Sequence, residues 1–155
     1  MVQLRPGGKN VFSWCKIQPN GQLQLPPDVC DEYALGATDK VIAFSGSKQT
    51  GGFCVSTEAL LATSALAHIL EDMPELARYA TPAGSITMYK GRQYAWLAIT
   101  AEGVLTLNEE FMTGFDLQTG DKLLAIRSSN IAFTLGAKGP LIETAEIYEG
   151  DIAVF

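Results

Sequence analysis

The sequence repeats itself at an offset of 82 residues, and this repeat constrains the fold more than any other feature. When the chain is shifted by this offset, identical residues coincide at positions spread from Trp14/Trp96 to Ser47/Ser129, and the alignment needs no gap. The identical pairs between these two are Ile17/Ile99, Gly21/Gly103, Leu23/Leu105, Leu25/Leu107, Leu35/Leu117, Asp39/Asp121, Lys40/Lys122 and Ala43/Ala125. A register kept for so long predicts two copies of one structural unit.

Each copy is predicted to begin with a strand and a tight turn. In the first copy, residues 10–18 are rich in aromatic and β-branched side chains, which suit a strand, and Asn20-Gly21 follows as a turn. Leu23 and Leu25 then alternate with polar residues, as on a short strand with one buried face. The second copy has the same pattern, so we expect a hairpin of first and second strands in each.

A short helix and a second hairpin complete each unit. Pro26-Pro27 ends the second strand, and residues 27–34 keep apolar side chains on one helical face. In the second copy, Asn108 is suited to cap the matching helix. The second hairpins are predicted at residues 41–44 with 53–56, and at residues 123–126 with 131–135.

A helical linker is predicted between the copies. Thr57 is a good cap for a long helix whose apolar stripe includes Leu60, Leu66 and Ile69, and this stripe should dock onto the body. Asp72 and Glu75 resemble a cap for a second short helix. Near the end of the chain, residues 152–155 are predicted to form a closing strand.

These elements divide the chain into repeat 1 at residues 1–56, a helical linker at 57–82, and repeat 2 with a C-terminal strand at 83–155. At 155 residues, the whole length suits one compact domain, and 47% hydrophobic residues are enough for a core. We therefore expect a single, mainly β, pseudo-dimeric domain, either monomeric or homodimeric.

Composition also limits where the chain acts and what it contains. The absence of a long apolar run and of a signal-like N-terminus predicts a cytoplasmic protein with no membrane contact. The spacing of Cys15, Cys30 and Cys54 fits no zinc or redox motif, so buried free thiols are expected. A net charge of -6 opposes any chain-wide attraction to phosphate, and nucleic-acid binding would need a local basic patch.

The order strand, G-x-L-x-L-P, short helix, L-G, x-D-K, strand resembles the AbrB/SpoVT swapped-hairpin family. In the first copy this pattern is carried by Gly21-Gln22-Leu23-Gln24-Leu25-Pro26, Leu35-Gly36 and Asp39-Lys40-Val41-Ile42. In the second copy it is carried by Gly103-Val104-Leu105-Thr106-Leu107, Leu117 and Gly120-Asp121-Lys122-Leu123-Leu124. The resemblance implies that two copies interleave their hairpins into one swapped-hairpin barrel, closed here within a single chain.

The resemblance also implies a transcription regulator or an antitoxin that contacts DNA through arginines near the turn and the short helix. This chain departs from that pattern, because Gln22 and Val104 occupy the turn positions. Residues 16–33 carry a net charge of -2 and residues 98–115 one of -3. DNA binding is therefore expected to be weak, and a protein partner is the alternative.

The remaining candidate contacts for nucleic acid or another anion are Lys9, Lys16, Lys90 and Arg92. The alternative explanation is protection of sheet edges by charged side chains. The stretch Gly46–Gly52 lacks the Gly-Lys-Ser/Thr ending of a phosphate loop, and His68 has no nucleophile motif beside it. No catalytic, metal-binding or cofactor-binding residues are predicted, so the two function classes are a non-enzymatic AbrB-like regulator and a protein-binding or scaffold module.

Overall fold

The computed structural model describes residues 1–155 and is mainly β, as predicted, with ten strands and six short helices. The strands are β1 (Val2–Gln3), β2 (Asn10–Lys16), β3 (Gln22–Gln24), β4 (Lys40–Ser45), β5 (Phe53–Ser56), β6 (Thr87–Tyr89), β7 (Arg92–Ala98), β8 (Val104–Thr106), β9 (Lys122–Arg127) and β10 (Phe133–Gly136). The helices are α1 (Pro27–Glu32), α2 (Glu58–Ala62), α3 (His68–Asp72), α4 (Pro74–Ala77), α5 (Glu109–Gly114) and α6 (Pro140–Glu146). A 3-10 turn covers Leu35–Ala37.

Strands of the two copies interleave in one eight-stranded sheet of order β1-β2-β9-β10-β5-β4-β7-β6. The first strand of each copy pairs with the second hairpin of the other copy, β2 with β9 and β7 with β4. The two hairpins, β4-β5 and β9-β10, form as predicted and meet at the β5-β10 pair. The strand order is open, with β1 and β6 at its edges.

The pairing registers obey a two-fold symmetry between the copies. Lys16 faces Lys122 where β2 meets β9, and the equivalent residues Ala98 and Lys40 face each other where β7 meets β4. The separate ribbon of β3 and β8 is centred on Leu23 opposite Leu105, which are equivalent residues. The symmetry axis therefore passes through β3-β8 and through the junction of β5 with β10.

The predicted local hairpin of first and second strands is wrong in its pairing. The tight turns do form, with the Gln18 N–H donating to the Gln22 carbonyl at 2.9 Å and the Thr100 N–H to the Val104 carbonyl at 3.0 Å. Beyond the turn, local pairing is limited to an isolated antiparallel bridge between Ile99 and Leu105 in the second copy. The strands β3 and β8 pair with each other instead of with β2 and β7. Each short strand thus finds its hydrogen-bond partner in the other copy, which buries both leucines at the centre of the ribbon.

The long linker helix is also wrong, because the chain forms two short helices, α2 and α3, in its place. Thr57 caps α2 as predicted, its side chain accepting from the Leu60 N–H at 3.1 Å. The helix ends near Ser64, whose hydroxyl donates to the Leu61 carbonyl at 2.8 Å and accepts from the Leu66 N–H at 3.0 Å. These side-chain bonds compete with the helical ladder and turn the chain.

The predicted cap of α4 is absent as well. Met73 occupies the cap position without a side-chain hydrogen bond. Asp72 instead accepts a hydrogen bond from the Tyr89 hydroxyl. At the C-terminus, residues 153–155 form backbone hydrogen bonds with Trp14 and Lys16 around an isolated parallel bridge. Strand β1 and helix α6 were not predicted.

The core has three parts, one inside the interleaved strands and two on the outer face of the sheet. The largest part, of 24 buried residues, draws on both copies and includes Phe53, Phe111 and Phe133. The linker helices cover one outer region, where Leu61 and Ile69 pack against Ile42. Helix α6 covers the other with Ile142. No helix is long and apolar enough to cross a membrane.

Candidate anion-contact surface

A lysine of each copy lies over a tryptophan of the other. The Lys122 ammonium lies 4.9 Å from the centroid of Trp14, and the Lys40 ammonium lies 6.0 Å from that of Trp96. Trp14 is buried, and half-buried Trp96 donates from Nε1 to the Thr81 carbonyl at 2.6 Å. Sequence reasoning assigned both lysines to turns. Both copies keep this lysine, and that repetition was the signal in the sequence for a second role. In this role, the lysines stabilise the strand exchange through cation–π contacts.

The charges of Lys9 and Arg92 both act on the thiol of Cys54, on the outer face of the sheet. This thiol lies 3.4 Å from the Thr134 hydroxyl, close to the symmetry axis. Burial raises the pKa of Cys54, while the Thr134 hydrogen bond and the charges of Arg92 and Lys9 act in the opposite direction. The guanidinium of Arg92 also lies 6.0 Å from the ring centroid of Phe44. Two of the four predicted contact residues therefore act on the same thiol.

Of the two remaining residues, Lys90 lies next to Arg92, and Lys16 lies apart from both. Lys90 occupies the turn between β6 and β7, next to Arg92, with its ammonium 5.3 Å from the ring centroid of Tyr89. Lys16 is exposed at the far end of β2, which places it roughly 20 Å from Lys9 along the strand. It faces Lys122 instead. The predicted patch therefore divides into one group near Cys54 and a second pair near the β3-β8 ribbon.

The face that resembles the family's DNA contact carries exposed carboxylates. Glu32 bonds to Arg127, and Asp28 lies 3.8 Å from the N-terminal amine. On α5, Glu110 accepts from the Ile86 N–H at 3.0 Å, and Glu109 in the same first turn is exposed. Glu32 and Asp28 therefore pair with positively charged groups, Glu110 accepts from the backbone, and the Glu109 side chain forms no hydrogen bond or ion pair in the protein.

The three cysteines are free thiols, and their environments differ. Burial raises the pKa of Cys15 to about 12. Because the thiolate is the reactive form, this residue is unreactive near neutral pH. Burial also raises the pKa of Cys30, although this side chain is only half-buried. His68 is exposed on α3, with Nδ1 3.2 Å from the Ala65 carbonyl oxygen.

No protein-family model matches this sequence, and no curated protein matches it. Function is therefore inferred from the arrangement of the chain's own residues.

Proposed function

We propose that this chain is a non-enzymatic, AbrB-like regulatory protein of the cytoplasm, in which one chain supplies both halves of a swapped-hairpin arrangement that the family builds from two chains. The observation that supports this proposal is the exchange of first strands, β2 onto β9 and β7 onto β4, in matching registers. In such an exchange, the first and second strands of each copy depend on the other copy for their pairing partners. A covalent linker then makes association independent of concentration.

The proposal includes only weak binding to DNA. Residues 16–33 and 98–115, which would face the duplex, carry a combined charge of -5. Carboxylates beside phosphates repel them, and affinity for DNA comes largely from Lys and Arg contacts. We expect the remaining contact to use Lys9, Lys90 and Arg92, because the charges of Lys9 and Arg92 both act on Cys54 and Lys90 lies next to Arg92.

A protein-binding or scaffold role, like that of an antitoxin, is the second candidate. A cleft of about 370 Å³ lies between α1 and α2 and is lined mainly by apolar atoms, with Tyr33, Ala37, Leu60 and Tyr79 among its residues. The exposed carboxylate of Glu58 lines the same cleft. Such a cleft suits an apolar side chain from a partner with basic residues around it.

Fluorescence anisotropy with random and genomic duplexes tests the DNA proposal. At physiological salt we expect a dissociation constant of ~10⁻⁴ M or weaker, without sequence preference. The double change Lys90→Ala with Arg92→Ala should weaken the binding seen at low salt, and Lys16→Ala should not. Tight, sequence-selective binding at physiological salt would contradict weak binding. An effect of Lys16→Ala alone would place the contact on the family's usual face.

A further inference from the structure

Because the structural unit is duplicated, the junction between a short helix and a hairpin loop occurs twice in the fold. The two junctions can therefore be compared. In one version, the C-terminal end of α1 meets the loop at residues 128–132, between β9 and β10. In the other, the C-terminal end of α5 meets the loop at residues 46–52, between β4 and β5. The first junction is closed by direct bonds. The second holds an open cleft of about 430 Å³.

The closed junction depends on side chains that the open one lacks. Glu32 bonds to Arg127, and the Tyr33 hydroxyl donates to the Ser129 and Ala132 carbonyls at 2.8 and 3.1 Å. The 82-residue offset puts Gly114, Ser45 and Phe115 at the positions of Glu32, Arg127 and Tyr33. None of these three can make the corresponding bond, so the loop at 46–52 is not drawn onto the helix end.

A Cβ at Gly114 would lie 1.9 Å from Ile86 Cδ1, the end of a side chain that would have to move to admit a larger residue. This contact has no bearing on the positive charges of the cleft.

The open cleft carries two lysines without acidic partners. Lys48 and Lys138 line it, both are exposed, and neither forms a salt bridge. The loop at 46–52 is two residues longer than its counterpart at 128–132, so Lys138 occupies the place that Glu58 has after β5. Asp116 is the one acid among the lining residues. In a chain of net charge -6, this cleft is therefore locally basic.

Backbone donors add to the two ammonium groups. The N–H groups of Gly46, Ser47, Lys48 and Gly52 have no acceptor in the protein, and all four residues line the cleft. Gly52 is buried, whereas buried N–H groups normally have partners. Its φ of +61° and a Cβ position 1.9 Å from the Leu135 carbonyl oxygen admit only glycine. Adjacent unpaired amides beside lysines are a common arrangement for binding oxyanions.

We propose that this cleft binds the phosphate group of a small phosphorylated ligand. Lys48 and Lys138 neutralise its charge, and the amides of the loop at 46–52 donate to its oxygens. Asp116, at the other side of the cleft, accepts from a hydroxyl or amine of the same ligand. This site is distinct from the surface near Cys54, and it does not depend on the proposed regulatory function.

Titration of the ¹⁵N-labelled full chain with inorganic phosphate, at constant ionic strength, tests the site by amide chemical shifts. Shifts should concentrate at residues 46–52 and at Lys138. Lys48→Ala and Lys138→Ala should each weaken binding about tenfold, as expected for loss of a charged hydrogen bond. Arg78→Ala is the matched control, since it removes one exposed, unpaired charge from the end of α4 and should change affinity less than about twofold.

Further variants and ligands complete the test. Lys138→Glu copies the charge of Glu58 and should abolish binding, while the spectrum reports whether the variant remains folded. A phosphomonoester should bind at least as tightly as phosphate. The proposal is overturned by unchanged affinity in the Lys48→Ala, Lys138→Ala double variant, by shifts spread over lysines outside the cleft, or by equal binding of acetate.

Discussion

At the scale of single residues, Tyr33 shows how one hydroxyl closes one of two equivalent junctions. Its ring is buried, and its hydroxyl donates to two carbonyls of the loop at 128–132. Tyr33→Phe should lower the free energy of unfolding by about 1–2 kcal/mol, because these acceptors lose their donor. Urea denaturation at neutral pH measures this. Tyr79→Phe is the control, since the Tyr79 hydroxyl makes no hydrogen bond within the protein, and an equal loss in both variants would contradict the explanation.

The same hydroxyl makes stability depend on alkaline pH. Burial, and then the charge of Glu32, raise the pKa of Tyr33 to about 12, against 10.0 for a free tyrosine. Above pH 10 the unfolded state releases this proton while the folded state retains it, so the free energy of unfolding falls as pH rises toward 12. Thermal unfolding from pH 9 to pH 11 should show this decline in the wild type and a shallower one in Tyr33→Phe. Parallel curves would assign the decline to other groups.

At the scale of elements, the linker helices act as a cover for the outer face of β4 and β7. Leu61 is fully buried there, whereas Leu66 is only partly buried. Leu61→Ala should therefore lower the free energy of unfolding by ~2–5 kcal/mol, and Leu66→Ala by clearly less. Chemical denaturation of the two variants gives the comparison. A loss below about half a kcal/mol for Leu61→Ala would mean that α2 is a loose tether.

Short segments cover the outer sides of the long strands β2 and β7. The outer edge of β2 is occupied by β1 and by residues 153–155, and that of β7 by β6 and Gly84. Covered edges do not offer a template for pairing with other chains. The edges that remain belong to β1 and β6, which are only two and three residues long.

At the scale of the whole molecule, strand exchange makes each copy dependent on the other. A fragment of residues 1–82 retains β4-β5 but loses the partners of β2 and β3. We expect fragments 1–82 and 83–155 to be poorly folded alone and to assemble one-to-one when mixed, as followed by circular dichroism and light scattering. The intact chain should remain folded on dilution. A stable monomeric fold of either fragment alone would contradict this dependence.

Much of the candidate surface could be located from the sequence, but its grouping could not. Lys9, Lys16, Lys90 and Arg92 were identified by charge and by their place near the first strands. Only the tertiary structure shows that the charges of Lys9 and Arg92 both act on Cys54 while Lys16 lies beside Lys122. The cleft at residues 46–52 was predicted only as a loop, because Gly114 and Lys138 approach it from distant parts of the chain.

Local chemistry by itself determined the repeat, the two hairpins β4-β5 and β9-β10, and the caps at Thr57 and Asn108. Each depends on residues close in sequence. Tertiary structure decided the partners of β2, β3, β7 and β8, because alternation of side chains identifies the buried face of a strand but not its neighbour. It also decided the break at Ser64. The linker turns there because the two surfaces that it buries face different directions. A helical stripe in the sequence alone cannot specify that turn.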